Sequence, residues 1–282
     1  MVKEMKLEDI EKMDYNQIIG IVKETNRPPG GKNSVFEIIN RLHLTEKSKI
    51  LEIGTSTGFT PIEISRLVQC KITSVDINEE SLEEAKKRAT SEGYGNINFS
   101  KADVNSLPFE DESFDVVIVG NVFSLMEAKK RALSECMRVS KKDGYIIAIP
   151  MYYIKTPSEE LIRKVSGAIK VDINPMYKSD WINFFSISEL GIYWLKDFKF
   201  DYVEDEKINF FCEDILKRKH LQNLNKKTYD KLSEVYKEFM FLFRDNLSQM
   251  GYSIIILSKK KIWEDPELYT SKEILPFISK IS

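Results

Sequence analysis

From residue 49 onward, short and nearly continuous apolar runs alternate with longer stretches whose apolar residues fall three or four apart. The short runs predict strands at 49–54, 72–77, 97–101, 115–120 and 144–151, because a strand covered on both faces shows little alternation. The longer stretches predict helices near 60–68, 79–92 and 127–140. The helix from Glu79 opens on acids and closes on Lys86, Lys87 and Arg88, a charge order that complements the helix dipole. Strand, helix and strand repeated in this way imply a parallel sheet with right-handed crossovers.

The flanks carry other patterns. Leu7, Ile10 and Met13 suit one face of a short helix that Tyr15 to Val22 continues. NRPPGG, Asn26 to Gly31, breaks it, and Val35 to Leu42 resumes helical spacing. Beyond Pro150 the spacing predicts helices over Pro157–Ile169 and Trp181–Trp194 and an extended segment over Phe200–Phe211. A charged helical insertion, Glu213–Gln249, then precedes a last strand at Tyr252–Lys259. Tyr236, Phe239, Met240 and Phe243 form an aromatic stripe at helical spacing, suited to core packing or to a homodimer through residues 213–249. Four regions result: a helical leader at 1–47, a core at 48–155, further helices with a sixth-strand region and the insertion at 156–250, and the last strand and tail at 251–282.

Composition narrows the partners. A net charge of -2 over 282 residues gives no reason to expect a nucleic-acid partner. KRKH, Lys217 to His220, reads as a solvated helix surface. Cys70, Cys136 and Cys212 are odd in number, far apart and without a CxxC pair, which suits reduced thiols in a cytoplasmic protein. With His43 and His220 the only histidines, no metal centre is expected. The first residues are too charged for a signal peptide, and no apolar run approaches a membrane span.

The candidate chemistry lies at two strand ends. In ILEIGTSTGFT, Ile50 to Thr60, a buried strand runs into a glycine turn and a helix. The turn's glycines let backbone approach a ligand without a Cβ in the way. In SVDIN, Ser74 to Asn78, the next strand ends in Asp76, placed to accept both hydroxyls of a ribose. Glu52, Gly54, Ser56 and Gly58 spell E-x-G-x-S-x-G, which resembles the first motif of class I S-adenosylmethionine (SAM) dependent methyltransferases, usually D/E-x-G-x-G-x-G. Val75–Ala89, Lys101–Phe123 and Ala132–Pro150 resemble, in the same order, that family's ribose-binding strand and helix, its adenine-binding strand end with the fourth strand, and the elements that close its core.

The resemblance implies a doubly wound, mostly parallel α/β sheet of seven strands with helices on both faces. It also implies SAM as cofactor and a methyl group transferred in line to a small-molecule acceptor, with the leader 1–47 as a lid and residues 156–250 on the acceptor side. Glu52, Gly54, Thr55, Ser56 and Gly58 would form the turn, with Asp76 and Ile77 at the ribose and Asp103 and Val104 at the adenine. Asn121, Val122 and Phe123 would lie near the methionine end, although Phe123 is equally suited to the core. Ser56 departs from the family's middle glycine; it fits easily at negative φ and is strained by roughly 1–2 kcal/mol at positive φ. No base stands out, and the catalytic candidates are Tyr15 and Arg27 in the leader and Tyr152 and Tyr153 beyond the fifth strand. Arg27 can equally be an exposed loop residue, and Tyr152 and Tyr153 edge aromatics. Two other readings keep the cofactor: cleavage or cyclisation of SAM itself, and a non-catalytic SAM-binding subunit.

Overall fold

Strand β1 (Lys49–Ile53) runs parallel between β2 (Lys71–Asp76) and β4 (Phe114–Gly120). β3 (Ile97–Lys101) extends the sheet beyond β2, and β5 (Ser140–Ala148) extends it beyond β4, both in parallel. The computed structural model describes residues 7–186 and 188–259. β8 (Met250–Ser258) lies antiparallel beside β5, and β7 (Gly191–Lys199) antiparallel beside β8. The short β6 (Met151–Tyr153) continues β5 in one register, with Ala148 opposite Ile255 and Met151 opposite Tyr252. Pro150 interrupts the ladder between them, since it has no N–H to donate. Counting β5 and β6 as one, the sheet has seven positions, mostly parallel, as the resemblance implied.

Alternating side chains send Ile50 to one face of the sheet and Leu51 to the other, both fully buried. Each such burial contributes roughly 1.5–3 kcal/mol. On Leu51's face pack α6 (Lys129–Val139) and α8 (Lys178–Ser186), through Leu133, Cys136, Trp181 and Phe185. On Ile50's face pack α3 (Gly31–Arg41) and α4 (Phe59–Leu67), through Val35, Ile38, Phe59 and Ile64. α5 (Glu79–Ser91) closes over β3 with Leu82, Ala85 and Ala89 against Phe99. Its N-cap is Asn78, whose side chain accepts from Ser81 N.

A separate helical layer joins the two ends of the chain. α1 (Leu7–Lys12) and α2 (Tyr15–Val22) pack Ile10, Ile18 and Val22 against Cys212, Leu216, Leu232 and Tyr236 of α9 (Asp205–Leu216) and α10 (Lys226–Leu247). The leader therefore divides, with α1 and α2 in this cap and α3 on the sheet. Tyr236 and Met240 face the chain's own leader, with Phe239 packed beside them, so the stripe that suggested a homodimer is largely covered from within. α7 (Glu159–Ile169) lies where a helix was expected, its N-cap Ser158 accepting from Leu161 N.

Two expectations are corrected. The helix expected over Trp181–Trp194 stops at Ser186, and Gly191–Lys199 is the sheet's edge strand. The extended segment expected over Phe200–Phe211 is mostly α9, which opens on Asp205 and Glu206 and buries Cys212, Ile215 and Leu216. The strand partnered with β8 is thus β7, not Phe200–Phe211. Tyr152 and Tyr153 lie just beyond β5, in β6, whose pairing with β8 keeps them within the sheet. No helix among the described residues is long and apolar enough to cross a membrane. None of their His, Cys, Asp and Glu side chains cluster as a metal site. The tail assigned to 251–282 lies outside the described residues from 260 onward.

Candidate cofactor site

The turn after β1 folds back onto the end of β2. Gly54 N and Thr55 N both donate to Val75 O, at 2.8 and 3.1 Å. Gly54 has φ +76°, and a Cβ there would stand 2.3 Å from Val122 Cγ2. Gly58 has φ +77°, and its Cβ would stand 2.9 Å from that of Ala85. Only glycine fits either place, for backbone reasons and for want of room. The turn, Val122 and α5 are thereby drawn together.

Ser56 takes the strained alternative, with φ +48°. Its N–H donates to Asp76 Oδ2 at 2.8 Å, and its hydroxyl accepts from Asn26 Nδ2 at 3.2 Å. Ser56→Gly should release about 1–2 kcal/mol of left-handed strain, offset by about 0.5–1 kcal/mol of added chain freedom. Thermal unfolding of that variant is expected at or slightly above the parent's midpoint, with Ser56→Val clearly below it.

Asp76 is held at both oxygens, since Oδ1 accepts from Asn78 N at 2.9 Å. The carboxylate is fixed by the turn on one side and the start of α5 on the other. As Asn78 caps that helix, the cap does not account for Asp76. Ile77 beside it is an aliphatic side chain left 69 % exposed at a strand end, the kind of surface a flat ring covers. Asp103, also exposed, accepts from Asn105 N at 2.8 Å and so shapes the loop after β3, while Val104 turns its side chain into the core.

Under the turn lies Glu52, 4 % exposed, with Oε2 lacking any hydrogen-bond partner. Thr55 Oγ1 and Ser74 Oγ are buried and unpartnered as well. Burial pushes the Glu52 carboxyl up to about 7; the nearby hydroxyls of Thr55 and Ser74 oppose the rise, and the Asp76 charge adds to it. The folded protein therefore holds a proton here that the unfolded chain has released. That contribution to stability is present below the unfolded pKa, near 4.5, and is lost as pH rises through about 7. Glu52→Gln is expected to flatten the stability–pH curve between these values by up to about 3 kcal/mol, measurable by urea unfolding across that range.

At the end of β4, Asn121 Oδ1 accepts from the Ser124 hydroxyl at 2.6 Å and from Met151 N at 3.3 Å, and Asn121 O accepts from Ser124 N at 3.0 Å. Asn121 is thus oriented, with its carbonyls at the mouth of the sheet. Phe123 takes the core alternative: it is 1 % exposed, with its ring 5.9 Å from Phe184 and 6.0 Å from Phe185. It offers no face to a ligand.

The leader loop reaches the turn directly. Asn26 N lies 3.3 Å from Thr57 Oγ1, and the Arg27 guanidinium sits 5.6 Å above the Phe59 ring. Arg88 Nη1 holds Thr57 O from the opposite side, at 2.5 Å. Tyr15 lies deeper in the cap, its ring 4.2 Å from Phe243, and burial with the Glu24 charge pushes its phenol well up. Tyr152 donates to Asp197 Oδ1 at 3.3 Å, and Tyr153 donates to buried Asn246 Oδ1 at 2.7 Å. Burial pushes Tyr153 up to about 12 and raises Tyr152 as well. The four catalytic candidates are not brought together. Arg27 alone stands at the turn.

One group of contacts escaped the sequence reading. KRKH does not simply face solvent, because Arg218 donates to Val22 O and Lys23 O, and His220 Nε2 lies 2.9 Å from Ile21 O. Residues so far apart in the chain carry no local pattern that could have announced this.

The arrangement suits SAM. The turn has room only for backbone, a fixed carboxylate ends β2 beside an exposed aliphatic residue, and unpartnered polar atoms lie beneath. A family model described as a methyltransferase domain matches residues 44–174. An uncharacterised protein of Haemophilus influenzae is 32 % identical over 170 residues, covering 58 % of this chain and 67 % of that one. A ubiquinone/menaquinone biosynthesis C-methyltransferase of Azotobacter vinelandii is 30 % identical over 132 residues, covering 46 % of this chain and 51 % of its own. This chain thus spans about half the length of that named relative. Among solved structures, the MccD protein superposes with a TM-score of 0.71 at 23 % identity, over 84 % of this chain and 100 % of its own. From the matched domain, the shared fold and the glycine turn facing Asp76, the chain belongs to the class I SAM-dependent methyltransferase superfamily, enzymes whose cofactor is SAM.

Proposed function

We propose that this chain methylates a small-molecule acceptor, which reaches the strand ends beneath the helical cap. The observation that carries the reading is the leader loop lying on the glycine turn, with Asn26 bonded to Ser56 and Thr57. A roof so close over the strand ends suits a compact acceptor better than a polymer. The Azotobacter vinelandii relative, named for ubiquinone/menaquinone biosynthesis, supports the same class. Three buried, free cysteines suit a reducing compartment such as the cytoplasm.

SAM, when bound, supplies a methyl group activated on a sulfonium. Asp76 would accept the ribose hydroxyls, because a carboxylate offers about four acceptor positions and two are used by Ser56 and Asn78. Ile77 would cover the adenine, Asp103 and the Val104 N–H would take its edge, and the Asn121 main-chain carbonyl, with one acceptor position left, would take the ammonium. The turn residues Glu52, Gly54, Thr55, Ser56 and Gly58, with Val122 packed against them, would shape the methionine end.

Alignment is the protein's main contribution, and positioning can supply about 7–11 kcal/mol of a barrier. A protein base has little part in this reading. Tyr15, Tyr152 and Tyr153 all have raised phenols and are not ionised near neutral pH, and neither histidine lies at the turn. The acceptor then brings its own nucleophile, as a neutral amine or an easily ionised oxygen does. The serine in the turn has a packing explanation, its bond to Asn26, and needs no altered cofactor chemistry.

Incubation with methyl-labelled SAM and a fractionated small-molecule extract is the test. Label in a small molecule, with equimolar S-adenosylhomocysteine, is the expected result. SAM consumed equally without extract would favour internal cleavage, and SAM bound without turnover in any fraction would favour a non-catalytic subunit.

A further inference from the structure

The connection between α9 and α10 reaches across the cap to the C-terminal end of α2. Arg218 Nη1 donates to Val22 O at 3.0 Å and also to Lys23 O. His220 Nε2 lies 2.9 Å from Ile21 O. Tyr236, from α10, donates to Glu24 Oε2 at 2.7 Å. Four consecutive leader residues, Ile21 to Glu24, are therefore gripped by side chains roughly two hundred positions away, where the last carbonyls of a helix lack partners of their own. A cation at this end also meets the favourable pole of the helix dipole. The Arg218 charge lies close enough to Glu24 to oppose the rise that burial imposes on that carboxyl.

Lys23 leaves α2 in the left-handed conformation, φ 55°, and turns the chain toward the sheet. Three residues later Asn26 meets Ser56 and Thr57, and Arg27 covers Phe59. Beyond them Gly30, φ +76°, packs so tightly on the Tyr252 hydroxyl that no Cβ fits. The loop is thus fixed at its far end by the sheet and at its near end only by the cap.

We propose that Arg218, assisted by His220, is a positioning residue that holds the leader loop on the glycine turn and so tightens cofactor binding without touching the cofactor. This rests on the reading that the turn holds SAM. Arg218 acts through Asn26: with the guanidinium gone, the carbonyls of Val22 and Lys23 turn to water, the α2 end frays, and Asn26 no longer stays on Ser56.

Calorimetric titration with SAM of the full chain, Arg218→Met, Arg218→Lys, Asn26→Ala and the Arg218→Met/Asn26→Ala double variant tests it. Arg218→Met is expected to raise Kd at least tenfold. Arg218→Lys, which keeps one cation and fewer donors, is expected to raise it about threefold. In the double variant Kd should stay within twofold of the worse single variant, since both changes free the same loop. Hydrogen exchange should show lost protection at Glu24 to Arg27 in Arg218→Met.

A wild-type chain that fails to bind SAM would sink the assignment of the turn, not this coupling. A wild-type chain that binds, with a folded Arg218→Met binding within twofold of it, would overturn the coupling. So would effects of Arg218→Met and Asn26→Ala that multiply, which is what a purely structural helix cap predicts. If Arg218→Met does not fold, Arg218→Lys decides: binding unchanged beside a lowered Tm contradicts the proposal.

Discussion

Replacing Asp76 with alanine is expected to weaken SAM binding by about ten- to a hundredfold, the worth of a charge-assisted hydrogen bond of roughly 1.5–3 kcal/mol. The structure also shows what else the substitution removes. Ser56 N and Asn78 N lose their acceptor, so the glycine turn and the start of α5 part company. Asp76→Asn separates the two effects, because its amide oxygen can still accept from one of these N–H groups while the charge is gone. Circular dichroism and isothermal calorimetry on both variants are the check. Folded Asp76→Ala binding SAM with the parent's dissociation constant would take Asp76 out of the site.

The second large effect is steric. Gly54→Ala places a Cβ 2.3 Å from Val122 Cγ2 on a backbone at φ +76°. The left-handed conformation costs about 1–2 kcal/mol for an L side chain, and forcing a methyl group into a filled space costs about 1–3 kcal/mol more. Gly54→Ala should therefore lose about 2–5 kcal/mol in urea unfolding and move the turn off Val75. Adding Val122→Ala should recover the steric part and leave the backbone part. If the double variant is no more stable than Gly54→Ala, the close approach of Val122 is not what fixes the turn.

The core was legible because buried parallel strands spell themselves out in runs. Ile50, Leu51 and Ile53 in β1 and Val116 to Val119 in β4 are buried on both faces and need little from their neighbours to be recognised. The glycine turn was legible because two of its positions admit only glycine. Ser56 was the exception, since a sequence does not state the sign of φ.

The second half of the chain was less legible for physical reasons. β7 is an edge strand, half-buried and irregular, with a register shift between Ile192 and Trp194. Its apolar residues therefore mimic the continuation of α8. After its opening acids α9 carries Ile208, Phe210 and Phe211, types that favour strands as much as helices. Packing against α10 and the leader decides in favour of the helix.

The contacts that join leader and insertion could not be read from the sequence. Ile18 against Tyr236, and Arg218 against Val22, are contacts between the two ends of the chain. They bear on any deletion of the leader. Deleting the leader through α2 would strip the cover from Leu232, Tyr236 and Met240, so lost activity would report an unfolded cap as readily as a missing lid. Point changes at Asn26 and Arg27 isolate the loop.

The measurement that bears most directly on this account is calorimetric titration of the purified chain with SAM, S-adenosylhomocysteine and NAD in turn. Asp76 suits the ribose of either nucleotide, but Ser56 and Phe59 stand where the dinucleotide fingerprint needs glycine, so one site per chain is predicted for each of the first two ligands and no heat from the third. Saturable binding of NAD, with no response to SAM or S-adenosylhomocysteine, would contradict it.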